Sequence, residues 1–188
     1  MERHNNGVRS AKIVDLVQVA LMAAMVFVAT SVIHIPSYMG VVHLGDSMVF
    51  IAAVLLGKRK SAIASAIGMC LFDLVHGYLI WAPFTFVIKG SMAYIAGIIA
   101  YRSNYEGNKI WNNLLAFIVS GVWMIGTYYL GGVIILMLIT GEATTMNQSL
   151  WIALKDVPGN IAQVVAGILV AVPLIKVLKK TSILSKYI

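Results

Sequence analysis

Long, nearly unbroken apolar runs constrain this chain more than any other feature. They extend over about 13–35, 44–57, 61–80, 83–101, 110–140 and 150–178 of the 188 residues. A segment that crosses a bilayer as a helix needs roughly 20 apolar residues, and runs this long are not the alternating pattern of barrel strands. With no water inside a bilayer to satisfy backbone groups, helices are the spanning structure that remains. The expectation is an all-α integral membrane protein, a bundle of six transmembrane helices forming a single domain over 1–188.

Composition agrees: 60% of residues are hydrophobic and 11% charged, where soluble domains are about half apolar and roughly a quarter charged. The polar, basic start MERHNNGVRSAK precedes an apolar run longer than a secretory signal core and without a small-residue cleavage signature, so the first helix is read as retained. Punctuation separates the spans: Pro36 with Gly40, then Gly57 to Lys60, then Trp81 to Pro83, and two polar loops, YRSNYEGNK and TGEATTMNQS. Cys70 is the one cysteine, so no internal disulfide is possible and it is read as a packed thiol.

Charge sets the orientation. Of fourteen Lys and Arg, twelve fall in four groups: Arg3, Arg9 and Lys12; Lys58, Arg59 and Lys60; Arg102 and Lys109; and Lys176, Lys179, Lys180 and Lys186. With six spans these groups share one face, which the positive-inside rule makes cytoplasmic, with both termini there. The net +7 is thus a topology signal that also suits the lipid bilayer surface, and it gives no reason to invoke nucleic acid.

The remaining cations, Lys89 and Lys155, lie within or at the ends of spans, as do Asp46, Asp73 and Asp156. A charge in a bilayer costs at least ~2.5 kcal/mol, so each needs a partner or a task. Following orientation through the helices puts His34, His43, Asp46, Asp73, His76, Lys89, Asp156, Asn160 and Gln163 in the outer half, above an almost uniformly apolar inner half. A channel or self-sufficient carrier needs polar groups through the whole thickness; this pattern describes a pocket open to the outside above an apolar plug. The competing explanation is that these groups only pair with one another between helices.

His43-Leu-Gly-Asp46 and Asp73-Leu-Val-His76 each place a His and an Asp three residues apart. On a helix that spacing gives one face, compatible with a metal site or with a hydrogen-bonding clamp on a ring nitrogen and a hydroxyl. No third motif supports metal, so an organic ligand is the preferred reading. Gly40-Val-Val-His-Leu-Gly45 has the glycine spacing of a phosphate loop, but Asp46 stands where a lysine would meet phosphate. With no GxSxG or HExxH context either, no cofactor or catalytic role is assigned. Trp81, Phe84, Tyr128 and Tyr129 offer stacking surface or an interfacial belt. In the first helix Ala20 and Ala24, with Ala23 beside them, make a small-xxx-small patch that lets another helix approach, from within the bundle or from a partner.

Taken together, the chain resembles the substrate-binding S components of energy-coupling factor vitamin transporters over essentially its whole length. The likeness rests on size, six spans, the AxxxA of Ala20 to Ala24, His43-Leu-Gly-Asp46, Leu56-Gly57, and Ala82-Pro83-Phe84-Thr85 followed by Lys89-Gly90. The resemblance implies a vitamin or precursor bound from outside, and partners consisting of a transmembrane coupling protein (the T component) and two cytoplasmic ATPases that supply the energy. It implies further that the Ala20, Ala23 and Ala24 region docks on the coupling protein. The nearest group is that of the riboflavin, hydroxymethylpyrimidine and pyridoxine binders. Riboflavin binders carry Pro, then Asn two residues on, then Lys three later; here the run is Pro158-Gly-Asn160-Ile-Ala-Gln163, with Gln in place of Lys. Asn160 and Gln163 both donate and accept, which suits a neutral heteroaromatic ring with hydroxyl substituents. The expected ligand is pyridoxine or hydroxymethylpyrimidine, with riboflavin or pantothenate as alternatives and a self-sufficient carrier as the alternative class. The expected binding residues are His43, Asp46, Asp73, His76, Phe84, Lys89, Tyr128, Asn160 and Gln163.

Overall fold

The computed structural model describes residues 2–141 and 145–180. Lys186 and the C-terminal residues assigned above to the cytoplasmic face lie outside the described residues, as do positions 142–144 of the expected loop. The chain runs α1 (Glu2–Val32), β1 (His34–Pro36), β2 (Val41–His43), α2 (Gly45–His76), α3 (Ala82–Ala100), a single 3-10 turn at Arg102–Asn104, α4 (Ile110–Ile134) closing in a π-helical turn at Ile135–Ile139, α5 (Met146–Leu154) and α6 (Val157–Lys180). Four stretches of described helix are long and apolar enough to cross a membrane: Lys12–Val32, Ala82–Ala100, Ile110–Ile139 and Met146–Lys180. Their outward faces carry Leu16, Val87, Leu138 and Leu169 more than 60% exposed. An apolar surface this continuous suits lipid, not water.

The runs expected over 44–57 and 61–80 form one helix by hydrogen-bond pattern, broken at Gly57 alone (φ 71°, ψ −179°). That conformation is essentially restricted to glycine, because a Cβ would clash. The break folds α2 back on itself. Gly45 and Met69 would stand about 36 Å apart in a straight helix, yet a Cβ on Gly45 would lie 2.6 Å from the Met69 methyl. The four-residue punctuation Gly57 to Lys60 thus shrinks to one residue, and the three cations continue the helix. Gly57→Ala is expected to lower folding stability by about 1–3 kcal/mol, measured as thermal unfolding in detergent.

Close helix approach explains the small residues. A Cβ on Gly68 would meet the Ala23 carbonyl at 2.5 Å, and one on Gly97 the Lys58 backbone at 2.5 Å, so α1 and α3 lie directly against the second arm of α2. Phe50 and Phe117 stack at 4.5 Å in the core shared with α4.

Two further departures from expectation shape the site. Residues 34–43, of which 36–43 are expected as a plain loop, make an antiparallel hairpin pairing His34 with His43 and Pro36 with Val41. The last expected span, 150–178, is divided: α5 ends at Leu154 and α6 begins at Val157. The turn between them carries Asp156, whose carboxylate accepts the backbone N–H groups of Tyr38 (3.0 Å) and Met39 (3.1 Å). Lys155 rests its ammonium 4.4 Å from the Tyr38 ring centre, which gives that cation a partner.

The two ends differ in charge. Gly57, Lys58, Arg59, Lys60, Tyr101 and Arg102 gather around one groove. Nearby, Lys179 donates to the Glu106 carbonyl (3.2 Å) and to Asn108 Oδ1 (2.8 Å), and Lys60 pairs with Asp15. The hairpin, the α2–α3 turn and the α5–α6 turn lie at the other end.

Candidate functional site

A cleft opens at the hairpin end. Ser37, Met39, Gly40, Val41 and His43 form one wall; Met69, Asp73 and Thr85 come from α2 and α3, with Tyr78 and Trp81 from the turn between them; Tyr128, Tyr129 and Gly132 from α4; and Ala153, Asn160 and Gln163 from α5 and α6, with Asp156 from their turn. Counted out to its open mouth, the cleft holds about 610 Å³ between atoms, and its Trp81, Tyr128 and Tyr129 lining suits a flat ring.

The roof is backbone held by side chains. Trp81 donates its indole N–H to the Met39 carbonyl (2.7 Å), and Asp156 holds the two amides at the hairpin tip. Trp81 and Tyr128 meet at 5.6 Å between ring centres, and Tyr128 donates its hydroxyl to Thr85 Oγ1 (3.2 Å). An aromatic wall is therefore fixed before any occupant arrives.

Below the cleft lies a closed polar layer. Lys89 Nζ donates to Asp46 Oδ1 (2.5 Å) and Gln163 Nε2 to Asp46 Oδ2 (2.7 Å), while the His43 N–H donates to Gln163 Oε1 (3.2 Å). Lys89 and Asp46 are fully buried. Burial, reinforced by the Lys89 charge, holds the His43 imidazole down to about 3. It is neutral at physiological pH, and Nδ1 accepts the Gly45 N–H (3.2 Å), which leaves the proton on Nε2. The layer ties the first arm of α2 to α3, to α6 and to the end of the hairpin.

Of the expected binding residues, His43, Asp73, Tyr128, Asn160 and Gln163 line the cleft. Asp46 and Lys89 sit beneath it, paired with each other. His76 does not reach the cleft. It is exposed, stacks on Phe72 at 4.3 Å and lies 5.3 Å from the His34 ring, between α1 and α2. Phe84 is also elsewhere, in a lipid-facing groove with Pro83, Val87 and Leu130. The two His/Asp pairs do not converge: His43 ends a strand whereas Asp46 starts a helix, and Asp73 is buried where His76 is exposed. Among the described residues no cluster of three His, Cys, Asp or Glu could hold a metal. Met39, Gly40, Val41 and Tyr78 escaped sequence reasoning. The only available signal was Pro36 with Gly40, which marks a turn but not where it folds.

On the first helix, Ala20 and Ala24 are exposed and Ala23 is buried against Gly68. Ala24 borders an open apolar groove with Leu21, Met25, Val28, Met48 and Val170.

Comparison with known proteins agrees with this architecture. Residues 10–180 match the family described as ECF-type riboflavin transporter, S component. An uncharacterized protein of Pyrococcus woesei is 31% identical over 148 residues, covering 79% of this chain and 88% of its own length. The thiamine precursor transporter HmpT of Lactococcus lactis subsp. cremoris (strain MG1363) is 29% identical over 175 residues, 92% of each chain.

Proposed function

This chain belongs to the S-component family of ECF-type riboflavin transporters, and on that premise we propose that it binds a small heteroaromatic vitamin or precursor, pyridoxine or hydroxymethylpyrimidine, for ATP-driven import. The observation that carries the reading is the aromatic-walled cleft at one end above a buried, ion-paired floor. A protein built this way captures a solute but offers it no route across, so movement requires partners: the transmembrane coupling protein and two cytoplasmic ATPases. The chain itself is a transporter subunit, not an enzyme. It sits in a prokaryotic cell membrane with the cleft outside and the basic end in the cytoplasm. Counting the hairpinned α2 as two crossings gives six spans with both termini inside. HmpT, a thiamine precursor transporter by name, supports a pyrimidine. Riboflavin is the second reading, favoured by the family's description. Against it stands Gln163, whose amide is engaged with Asp46 and the His43 backbone.

Native mass spectrometry of protein purified from rich medium tests this directly, since a tightly held vitamin would identify itself. A bound flavin would favour the second reading, and uptake by this chain alone in vesicles would sink the S-component assignment. Asn160→Ala is expected to weaken ligand affinity by about 1–3 kcal/mol, because a ligand polar group loses its partner in a dry cleft, with thermal stability unchanged. Gln163→Ala, by contrast, removes a member of the buried layer and should lower both affinity and stability. Calorimetry and thermal unfolding of the two variants separate these effects.

A further inference from the structure

We infer that Asp73 determines specificity in this cleft, selecting a neutral heteroaromatic ring that carries an exocyclic amino group whose N–H donates to Asp73 Oδ2. The inference rests on the vitamin-binding reading above and sharpens it.

Asp73 is 4% exposed and lines the cleft, yet its Oδ2 has no hydrogen-bond partner. Ser65 Oγ and Asn113 Oδ1 share that condition among the described residues, but neither lines the cleft. A buried carboxylate oxygen without a donor is costly, and the surrounding structure keeps it so. Thr85, which accepts from Tyr128, hydrogen-bonds the Asp73 carboxyl, while the Trp81 indole donates to the Met39 carbonyl and Lys89 and the Gln163 amide donate to Asp46; none of these donors reaches Oδ2. The group that completes Asp73 therefore comes with the occupant.

Charge narrows the chemistry. Among the described residues no Lys or Arg lines the cleft, whereas two carboxylates, Asp73 and Asp156, do. Lys89, beneath it, is neutralised by Asp46. A ligand bearing a carboxylate or phosphate would meet acceptors and no free positive charge, so pantothenate and phosphorylated vitamins are poor occupants. An aromatic amino group, its lone pair drawn into the ring, brings two donors and no strong acceptor, complementary to a wall whose unmet atom is an acceptor. A ring carbonyl at the same position would set two acceptors face to face.

The test titrates the purified full-length protein in detergent with three compounds: a hydroxymethyl aminopyrimidine, its oxo counterpart with a carbonyl in place of the amino group, and pyridoxine. The wild type should bind the amino compound at least roughly tenfold more tightly than the oxo compound, since a site built to pair an N–H rejects its loss strongly. Asp73→Asn, which preserves shape, should weaken the amino compound and shrink or invert that ratio, because its amide can donate to the carbonyl. Equal binding of both pyrimidines by the wild type overturns the inference without any variant, and an unchanged ratio in Asp73→Asn overturns it too. Pyridoxine binding with no binding of the aminopyrimidine would also overturn it, while leaving the vitamin-binder reading intact. If none of the three binds, the proposed ligand class itself falls.

Discussion

Replacing Lys89 by methionine is expected to lower folding stability by about 3–5 kcal/mol, because it leaves the Asp46 carboxylate buried without its countercharge. Both groups have no exposed surface, so water cannot take the lysine's place. Asp46 also holds Gln163, and Gln163 holds the His43 backbone, so the loss extends from α3 through α2 to α6 and the hairpin. The matched double change Asp46→Leu with Lys89→Met should recover most of the loss, since replacing a buried ion pair by apolar side chains is often neutral. Thermal unfolding in detergent without ligand measures this. Unchanged stability in Lys89→Met together with lost ligand affinity would mean that the lysine faces the ligand instead of the carboxylate, and the buried-layer description would be wrong.

This pair also marks where the sequence ceases to be legible. Lys89, Asp46 and Asp73 are visible as charges in apolar runs, and the cost of burial demands that they be matched. Which carboxylate receives the lysine depends on how α2 folds back at Gly57 and on the phase of α3 against its two arms. Neither is a local property. Membrane-spanning helices were legible because length and hydropathy are local, and the cleft's end was legible because charge asymmetry survives any packing arrangement. The hairpin was not: its strands are three residues each, His34–Pro36 and Val41–His43, too short for a periodic signal, and its tip is fixed by Asp156 far along the chain. The His/Asp pairs fail for a related reason. Residues three apart on a helix differ by about 60° in direction, and at Asp73 and His76 the boundary between core and surface falls within that angle. Phe84 follows the same logic, one turn from Ile88 but turned towards α4 and lipid, where a Cβ on Gly131 would lie 3.3 Å from its ring.

Substituting tryptophan at both Ala20 and Ala24 is expected to abolish uptake while leaving ligand affinity intact. The two alanines are exposed on α1, and residues four apart lie about 40° apart on one helix face, so together they leave a shallow strip where a partner helix can come close. Two indole rings would fill that strip and hold the partner's backbone away. The cleft is at the hairpin end and shares no lining residue with this strip, so binding has no route by which to suffer. Ala23 provides the internal contrast. Its carbonyl lies where a Cβ on Gly68 would meet it at 2.5 Å, and its side chain is buried, so Ala23→Trp should disrupt α1 against α2 and lower both stability and binding. The measurements are ligand affinity in detergent and uptake into vesicles containing the coupling protein, the ATPases and ATP. Intact binding with no uptake for the double variant, beside general failure of Ala23→Trp, assigns the exposed strip to docking. Normal uptake by the double variant would move the docking surface elsewhere on the bundle, and loss of binding as well would mean that these alanines pack inside it.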